Sequence, residues 1–398
     1  MTVLFWGSLA LLFYVYVGYA VVAGVRARLA RRTPRQAAIE PTVSVVVVAY
    51  NEGARIDAKI ENLLGLHYPP ERFEIIVASD GSTDDTVERA RRYAEAGVRV
   101  YRAPERRGKP AALNAAVALA RGEIVVFADA RQHFDPGTLR ALVSNYADPA
   151  VGAVSGELVL RAAEGAATAG QGSAFYWRYE KFIRSAESAV DSTIGATGAI
   201  YSVRRELFQP IPEDTLLDDV LIPLRIVRRG YRVLFEPRAK AFDCTSFTAR
   251  QELARKTRTI AGNFQLFWRE RWLFNPRRNR LWFETISHKA LRLTVPLLHA
   301  GLLAGNIALA SASWPYQLLL AGQVGFYAAA LGACFVGAGG RSVILTAPYM
   351  MCMLCWVTVV GFWRFATHRQ PVTWERVPPS TVPAAAESGS RAAAQRAA

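Results

Sequence analysis

Hydrophobic residues are unevenly distributed along this chain, and charge is missing altogether from its first 25 residues, MTVLFWGSLALLFYVYVGYAVVAGV. At about 1.5 Å per residue, a helix of this length spans a hydrocarbon core of roughly 30 Å. Arginines follow at positions 26, 28, 31, 32 and 35. A signal peptide would carry its basic residues ahead of a shorter apolar run. We therefore predict a membrane anchor over residues 1–25 and a basic linker over 26–41 that lies in the cytoplasm.

Three further apolar stretches lie late in the chain, at about Ala290–Ala310, Trp314–Gly339 and Ser342–Ala366. A central arginine costs about 2.5–3.5 kcal/mol on insertion scales, so Arg341 is expected at a boundary. We predict about three transmembrane helices within 290–367 and a disordered, Pro- and Ala-rich tail over 368–398. One early and three late crossings would leave the C-terminus outside, whereas the basic residues of the tail favour the inside. The conflict stays open unless one late stretch is re-entrant or interfacial.

The region from 42 to 246 alternates between continuous apolar runs and polar, helix-like stretches. The runs VSVVVVAY (Val43–Tyr50), EIIVAS (Glu74–Ser79) and EIVVFAD (Glu123–Asp129) are typical of strands that are buried on both faces. Alternation of such strands with helices predicts one α/β domain with a mostly parallel sheet. In open sheets of this kind, ligands bind outside the carboxyl ends of the strands.

Aromatic and basic residues are concentrated in residues 247–289, for example Trp268 and Trp272 beside Arg269 and Arg271. This composition is typical of amphipathic helices in a membrane interface, where each basic group contributes about 1 kcal/mol towards an anionic leaflet. A surface for single-stranded nucleic acid would have a similar composition. Because apolar helices follow this segment, we expect membrane lipids, and no nucleic acid, as its partners.

Composition agrees with a membrane protein that has a basic cytoplasmic face: 52% of residues are hydrophobic, yet the formal net charge is +15. The four cysteines form no disulfide framework. Cys352-x-x-Cys355 has no second pair with which to build a zinc site, so we interpret these cysteines as ordinary residues of apolar helices.

Polar clusters follow the predicted strands. AYNEG places Glu52 after the first strand, and SDGSTDDT places Asp80 after the second, with glycines that permit sharp turns. Such groups suit hydrogen bonds to a base edge and a ribose, although turn and capping chemistry explains Thr83 and Asp84 equally well. In RRGKPAALNAA, Lys109 stands just before a predicted helix, where an anion would bind; a solvated basic loop is the alternative.

Two further clusters carry acids. FADARQ delivers Asp129 to the end of a buried strand and places Arg131 two residues later. TLLDDV places Asp218 and Asp219 at the start of a predicted helix. Adjacent residues point in different directions, so one of these acids can cap the helix while the other faces a cleft.

The motifs VSVVVVAYNEGARI, IIVASDGSTDDT, RGKPAALNAA, VVFADA, TGAIYSVRREL and LLDDVLIPLRI occur in the order and rough spacing of family 2 glycosyltransferases. The chain resembles their membrane-bound branch, which includes cellulose, chitin, hyaluronan and poly-N-acetylglucosamine synthases. The resemblance covers about Thr42 to Gln265 and implies the GT-A fold, which is Rossmann-like. The six motifs are specific for the family and poorly specific for the sugar.

The resemblance implies roles on the donor side. Glu52 and Asp80 match the positions that hold the base and ribose of the nucleotide, usually uridine. Lys109 matches the lysine of the Gly-Lys motif near the nucleotide. Asp129 matches the first residue of the Asp-x-Asp motif, which holds the diphosphate through Mg²⁺ or Mn²⁺. The implied cofactor is a divalent cation, and the implied donor is a UDP-sugar.

On the acceptor side, Asp219 matches the final Asp of the Thr-Glu-Asp motif, which deprotonates the acceptor hydroxyl. Its neighbour Asp218, and Gly198 of the TGA element, are expected beside the acceptor or the diphosphate. Arg258 aligns with the arginine of the Gln-x-x-Arg-Trp motif near the diphosphate and acceptor.

The chain departs from the family pattern at two important positions. Thr259 replaces the tryptophan of Gln-x-x-Arg-Trp, which removes a sugar-stacking surface and leaves processive synthesis open. Arg131 replaces the second Asp of Asp-x-Asp. If the chain stays extended there, Arg131 shares a face with Asp129 and is expected to neutralise phosphate charge directly. The alternative is that Arg131 pairs with an acid elsewhere in the fold.

The resemblance and the apolar segments together imply a metal-dependent inverting hexosyltransferase of the inner membrane, with its catalytic domain in the cytoplasm. It would move a sugar from a UDP-sugar to a growing β-linked polysaccharide or a lipid-linked acceptor. Transfer of a single sugar to a lipid carrier and a non-catalytic nucleotide-binding membrane protein are the alternatives. A transporter would need more spans and intramembrane polar residues. A synthesis or export complex would add partner proteins.

Overall fold

The structure is a computed structural model that describes residues 1–162, 170–245, 249–336 and 343–373. The boundary predicted at Arg341 and most of the predicted tail lie outside these residues. Within them, a mixed sheet with helices on both faces forms the centre of the molecule, and long apolar helices from both ends of the chain pack together beside it.

The eight strands of the described sheet lie in the order β3-β2-β1-β4-β7-β6-β8-β5. Their bounds are β1 Val43–Ala49, β2 Phe73–Ser79, β3 Val98–Arg102, β4 Ile124–Asp129, β5 His133–Phe134, β6 Val151–Ala162, β7 Ile200–Arg204 and β8 Arg232–Thr245. β1 is buried along its whole length, with Val46 and Val48 in the core on one face and Val45 and Val47 in the core on the other. The continuous apolar run therefore predicted this strand correctly.

The direction of the strands was only partly predicted. β1, β2, β3 and β4 are parallel, as expected, but β7 runs antiparallel to β4 and β6, so the sheet is mixed. Runs of apolar residues do not encode strand direction, and β7 lies between α7 and α8 in the same strand–helix alternation as the parallel strands. The reversal has a consequence for the site: the start of β7 lies at the same edge as the carboxyl ends of β1, β2 and β4.

The helices occupy the remaining described segments. Their bounds are α1 Thr2–Phe13, α2 Tyr19–Leu29, α3 Gly53–Leu64, α4 Thr86–Arg91, α5 Lys109–Leu119, α6 Thr138–Val143, α7 Gly170–Val190, α8 Asp218–Arg228, α9 Ala249–Arg269, α10 Trp282–Glu284, α11 Leu291–Leu293, α12 Val295–Leu309, α13 Trp314–Val336 and α14 Val343–Ala366. π-helical turns join α1 to α2 and α10 to α11.

Two helices in the described part of the chain are long and apolar enough to cross a membrane, Thr2–Leu29 and Ala347–Ala366. The segments Trp282–Leu293 and Val295–Leu309 would make a third span if their 62° bend lies within one crossing. The helices thus lie where the apolar stretches predicted them, and the number of crossings stays a prediction. Gly305 lets α12 approach α1 closely, because a Cβ there would lie 3.0 Å from the backbone nitrogen of Phe5.

A buried polar network fixes the N-terminal helix to the sheet domain. The Tyr19 hydroxyl donates to Glu187 of α7 at 2.6 Å. His288, in the π-helical turn before α11, contacts both Glu187 at 2.7 Å and Glu180 at 3.1 Å. Arg292 completes the network with a 2.5 Å ion pair to Glu180. Because buried polar groups of this kind must keep their partners, the network holds three separate segments in one arrangement.

Candidate active site

The predicted donor-side acids lie at neighbouring strand ends. Asp80 follows β2, is 1% exposed, and accepts hydrogen bonds from the backbone N–H groups of Arg107 at 2.8 Å and Gly108 at 2.9 Å. Gly108 has φ +102°, a conformation that favours glycine. Asp80 therefore positions the basic loop before α5. Its predicted contact with a nucleotide stays a prediction.

Glu52 lies at the start of α3, one strand away from Asp80, and forms a 3.0 Å ion pair with Arg55. The preceding residue, Asn51, has φ 53° and accepts the backbone N–H of Thr83 at 2.8 Å, so it ties the two strand ends together. The Arg106 guanidinium lies 3.7 Å from the centre of the Tyr50 ring. This edge of the sheet is therefore lined by polar residues, with basic side chains next to them.

Lys109 stands at the centre of the site. Its Nζ atom donates to Asp129 Oδ1 at 2.9 Å and lies 3.6 Å from Asp218 Oδ2. Burial alone would lower the pKa of Lys109, but the carboxylates of Asp129 and Asp218 outweigh it and raise the pKa above its usual value. The lysine therefore stays charged and connects the end of β4 to the start of α8.

Asp219 lies beside Lys109, in the first turn of α8. Burial and the neighbouring Asp218 carboxylate raise the pKa of Asp219 to about 6, although Lys109, Lys289 and Arg184 oppose the shift. A Cβ built on Gly198 would lie 2.9 Å from Asp219 Oδ2, so only glycine leaves the carboxylate its room. The antiparallel β7 thus brings the predicted TGA element against the predicted base.

Sequence reasoning missed two cations near Asp219. Arg184 of α7 donates to the Thr197 hydroxyl at 2.7 Å, directly before Gly198. Lys289 comes from the π-helical turn before α11, and its charge acts on Asp219. Neither residue stands in a recognisable motif, because α7 and this turn are far from α8 in the sequence. Only the folded chain shows that they face the same carboxylate.

Arg258 of α9 also reaches the site, where its Nη2 atom contacts the Val372 carbonyl oxygen at 3.4 Å. A Cβ built on Gly108 would lie 2.9 Å from Val372 Cγ1, so the segment that follows α14 lies between Arg258 and the basic loop. The disordered tail predicted from residue 368 stays a prediction. Within it, the structure places Val372 against Arg258 and the basic loop.

Arg131 does not share the face of Asp129. β4 ends at Asp129 and the chain turns, so the premise of an extended chain was wrong. Arg131 Nη2 instead donates to Asp243 Oδ2 at 2.5 Å, and Gln132 Nε2 donates to the same oxygen at 2.9 Å. The alternative stated for Arg131, an ion pair with an acid elsewhere, is the arrangement seen. Direct neutralisation of phosphate by Arg131 remains only a prediction.

Changing Arg131 to methionine is expected to lower stability by about 3 kcal/mol, because it leaves the buried Asp243 carboxylate without its ion pair. A thermal melt in detergent measures the loss. Changing Asp243 to asparagine in the same chain should recover part of it. If Arg131→Met leaves the melting temperature unchanged but weakens nucleotide binding, the arginine acts on the donor rather than on the fold.

The residues around Asp129 fit a divalent cation held mainly by substrate. The Asp129 side chain is 39% exposed and faces the open edge of the sheet. The described residues contain no group of three acids, histidines or cysteines that could chelate a metal by itself. Mg²⁺ and similar ions commonly bind one or two carboxylates together with substrate phosphates and water. One carboxylate is therefore sufficient where a diphosphate supplies the other oxygens.

Comparisons with known proteins agree with this geometry. The sequence model of Glycosyl transferase family 2 matches residues 44–211, which include Glu52, Asp80, Lys109, Asp129 and Gly198. The chain therefore contains a family 2 glycosyltransferase domain, and the resemblance found in its motifs is confirmed. Asp219 and Arg258 lie beyond the matched residues.

Among curated proteins, the chain is 27% identical over 240 residues to the probable glycosyltransferase YdaM of Bacillus subtilis, covering 56% of this chain and 55% of that protein. It is 26% identical over 202 residues to the poly-β-1,6-N-acetyl-D-glucosamine synthase of Staphylococcus aureus, covering 50% and 48%. It is 34% identical over 159 residues to the β-monoglucosyldiacylglycerol synthase of Nostoc, covering 37% and 33%. The chain thus spans about half or less of the length of these relatives.

A solved structure extends the similarity beyond the domain. The mannosyltransferase PcManGT from Pyrobaculum calidifontis, in complex with GDP-Man and Mn²⁺, is 26% identical with a TM-score of 0.69, and the match covers 92% of this chain and 99% of that one. The mixed α/β sheet is therefore GT-A-like. The coverage shows that the apolar helices, as well as the sheet, have counterparts in that structure.

Proposed function

We propose that this protein is an inverting glycosyltransferase that moves a sugar from a nucleotide-sugar donor to an acceptor hydroxyl, with Asp219 as general base. The observation that carries the proposal is the Asp219 carboxylate, whose pKa is raised to about 6 and which lies against Gly198. A base with this pKa is deprotonated at neutral pH and is still basic enough to take a proton.

The charges around Asp219 suit the two requirements of the reaction. The acceptor hydroxyl must lose a proton as it attacks, and the leaving nucleoside diphosphate must have its growing negative charge neutralised. Asp219 meets the first requirement. Lys109, held by Asp129 and Asp218 at the end of β4, places a permanent positive charge on the donor side of the same cleft. Attack from the face opposite the diphosphate would convert an α-linked donor to a β-linked product.

We further propose that Asp129 holds Mg²⁺ or Mn²⁺ together with the donor phosphates. When bound, the ion supplies positive charge for the leaving diphosphate. Glu52 and Asp80 would lie near the base and ribose, because they follow β1, which is next to β4 in the sheet, and β2, which is next to β1. Arg258 and Val372 would close the cleft from the side of α9.

The donor is proposed to be a UDP-sugar on the strength of the sequence motifs, with a GDP-sugar as the second candidate. The solved mannosyltransferase structure favours the second, since it contains GDP-Man. For the acceptor, the relatives support two classes, a growing β-linked glycan and a lipid. Thr259 favours single transfer, because a threonine provides no stacking surface for a sugar chain. We place the reaction at the inner face of the cell membrane, where a lipid-linked acceptor would lie.

The donor is identified by nucleotide diphosphate release from UDP- and GDP-sugars, measured with purified protein in detergent. We expect one sugar nucleotide to be turned over with Mg²⁺ or Mn²⁺ and the reaction to stop with EDTA. Adding excess metal should restore it. Product length on a gel then separates single transfer from polymer synthesis.

Release that continues in EDTA would show that the cations of the site suffice without metal. A chain that binds nucleotide and yet turns over no donor, with glycan and lipid acceptors both supplied, would contradict the proposed function. It would favour a non-catalytic nucleotide-binding protein.

A further inference from the structure

An open groove lies between the N-terminal helix and α7, and its lining contains none of the candidate active-site residues. Its volume is about 830 Å³. The floor is made of small residues, among them Ala20, Gly24 and Ala186. Val21 and Phe182 form its walls and are 59% and 50% exposed. An apolar groove of this size on a helix that is long enough to cross a membrane is suited to an acyl chain.

The groove ends in two arginines. Arg28 and Arg31 line it, both are exposed, and within the described residues neither guanidinium makes a hydrogen bond or an ion pair. Arg26, in contrast, is paired with Glu284 at 2.5 Å and does not line the groove. The free positive charge is therefore confined to one end of an otherwise apolar surface.

The dimensions match those of a lipid. From Tyr16 to Arg31 the groove follows about 15 residues, or roughly 22 Å at the rise of an α-helix. The hydrocarbon of one membrane leaflet is about half of the roughly 30 Å core, so an acyl chain and its headgroup fit within this length. Arg28 and Arg31 stand where the helix leaves its uncharged segment, which is the level expected of lipid phosphates.

We propose that the groove between the N-terminal helix and α7 is a binding site for an anionic membrane phospholipid, whose acyl chain lies along Val21 and Phe182 and whose phosphate contacts Arg28 and Arg31. The lipid is distinct from the sugar acceptor. Arg184, which faces the catalytic carboxylate, lies on the other side of α7 and is absent from the groove.

Bound lipid would also support the active site indirectly. α7 carries the groove on one face and the contact from Arg184 to Thr197 on the other. Filling the groove would keep α7 against the N-terminal helix, and so keep Thr197 and Gly198 in place beside Asp219. The proposed contact is therefore made between the protein and its membrane, and it does not depend on which sugar is transferred.

Native mass spectrometry of the full-length protein with phosphatidylglycerol or phosphatidylcholine of the same acyl chains tests the proposal. We expect a saturable phosphatidylglycerol adduct. The double variant Arg28→Gln/Arg31→Gln should weaken it about 25-fold, at about fivefold for each basic group. The matched control Arg32→Gln/Arg35→Gln removes the same charge from the same segment outside the groove and should retain binding. Val21→Trp, which fills the groove from an exposed position, should also weaken binding.

Equal loss in the two double variants would overturn the proposal in favour of diffuse attraction by the basic linker. Equal binding of both lipids would overturn it as well, because the arginines would then contribute nothing. A photoreactive benzoylphenylalanine at position 182 gives a second measurement that does not depend on affinity. It should crosslink phosphatidylglycerol in the wild-type background, and absence of that adduct would count against the site.

Discussion

Changing Asp219 to asparagine is expected to reduce kcat by a factor of about 10²–10⁴, the range that general base catalysis contributes. Asparagine keeps the shape of the side chain but cannot accept a proton. The space next to Gly198, and the hydrogen bond from Ala196 N–H to the Asp219 carbonyl oxygen at 2.7 Å, should be unaffected. KM for the donor should therefore change little, which separates loss of the base from loss of binding.

The wild-type pH profile gives an independent measure of the same group. Because the pKa of Asp219 is about 6 and the base acts in its deprotonated form, kcat should fall tenfold per pH unit below about 6 and level off above it. A profile that stays flat down to pH 5 would exclude Asp219 as the base. Asp214→Asn is a suitable control, since Asp214 is exposed, precedes α8 and pairs with Arg269 at the surface.

The same substitution is expected to stabilise the protein. Asp219 has a pKa of about 6 in the folded chain against 3.8 in the unfolded one, so its ionisation disfavours folding. The penalty appears as the pH rises from about 4 to 6 and is complete above that, at roughly 3 kcal/mol. Asp219→Asn should therefore raise the melting temperature at pH 8 and have no effect near pH 4. An equal gain at both values would point to a packing effect instead.

Replacing Lys109 with methionine is expected to lower kcat/KM by about 10²–10³, the loss typical of one preorganised group that neutralises charge in a transition state. The lysine is the charge that lies between Asp129 and Asp218. Without it, three carboxylates face each other across the cleft, and donor diphosphate binding should weaken as well. Isothermal titration with the nucleoside diphosphate measures that part separately.

Lys109 also affects the pKa of the proposed base, Asp219. Its removal is therefore expected to have a second measurable effect. Its positive charge lowers the pKa of Asp219, so Lys109→Met should move the acid limb of the pH profile to higher pH. Lys109→Arg keeps the charge and should return the limb to near its wild-type position even if the rate stays low. Lys181→Met is the matched control, because Lys181 is an exposed lysine paired with Glu157. If the acid limb of the pH profile is unshifted in Lys109→Met, the charge of Lys109 does not affect the pKa of Asp219.

The positions of the acids proposed for the donor side could largely be predicted from sequence, because each of them follows a recognisable buried strand. Asp80 and Asp129 end β2 and β4, and parallel strands bring their carboxyl ends to one edge. The acceptor side depends on long-range packing. Arg184 and Lys289 reach Asp219 from a helix and a turn that carry no motif, and Val372 returns from the far end of the chain.

Arg131 shows why the spacing of two residues was not enough to predict the direction of a side chain. Residues two apart share a face only while a strand continues, and β4 ends at Asp129. What decides the direction of Arg131 is Asp243, a buried acid on β8 more than a hundred positions away. Nothing in the local sequence reports that partner. The antiparallel direction of β7 was hidden for a similar reason, since apolar runs record burial and not orientation.

The hydrogen-bonded network of Tyr19, Glu187 and His288 has a consequence for substrate choice. It joins a candidate membrane helix to α7, and α7 in turn contacts the loop before Gly198. Under the proposed function, with Thr2–Leu29 as a membrane span, these contacts would hold the Asp219 carboxylate at a constant height above the bilayer surface. Only acceptors that present a hydroxyl at that height would then react, so the distance from the membrane would select among substrates before any sugar is recognised.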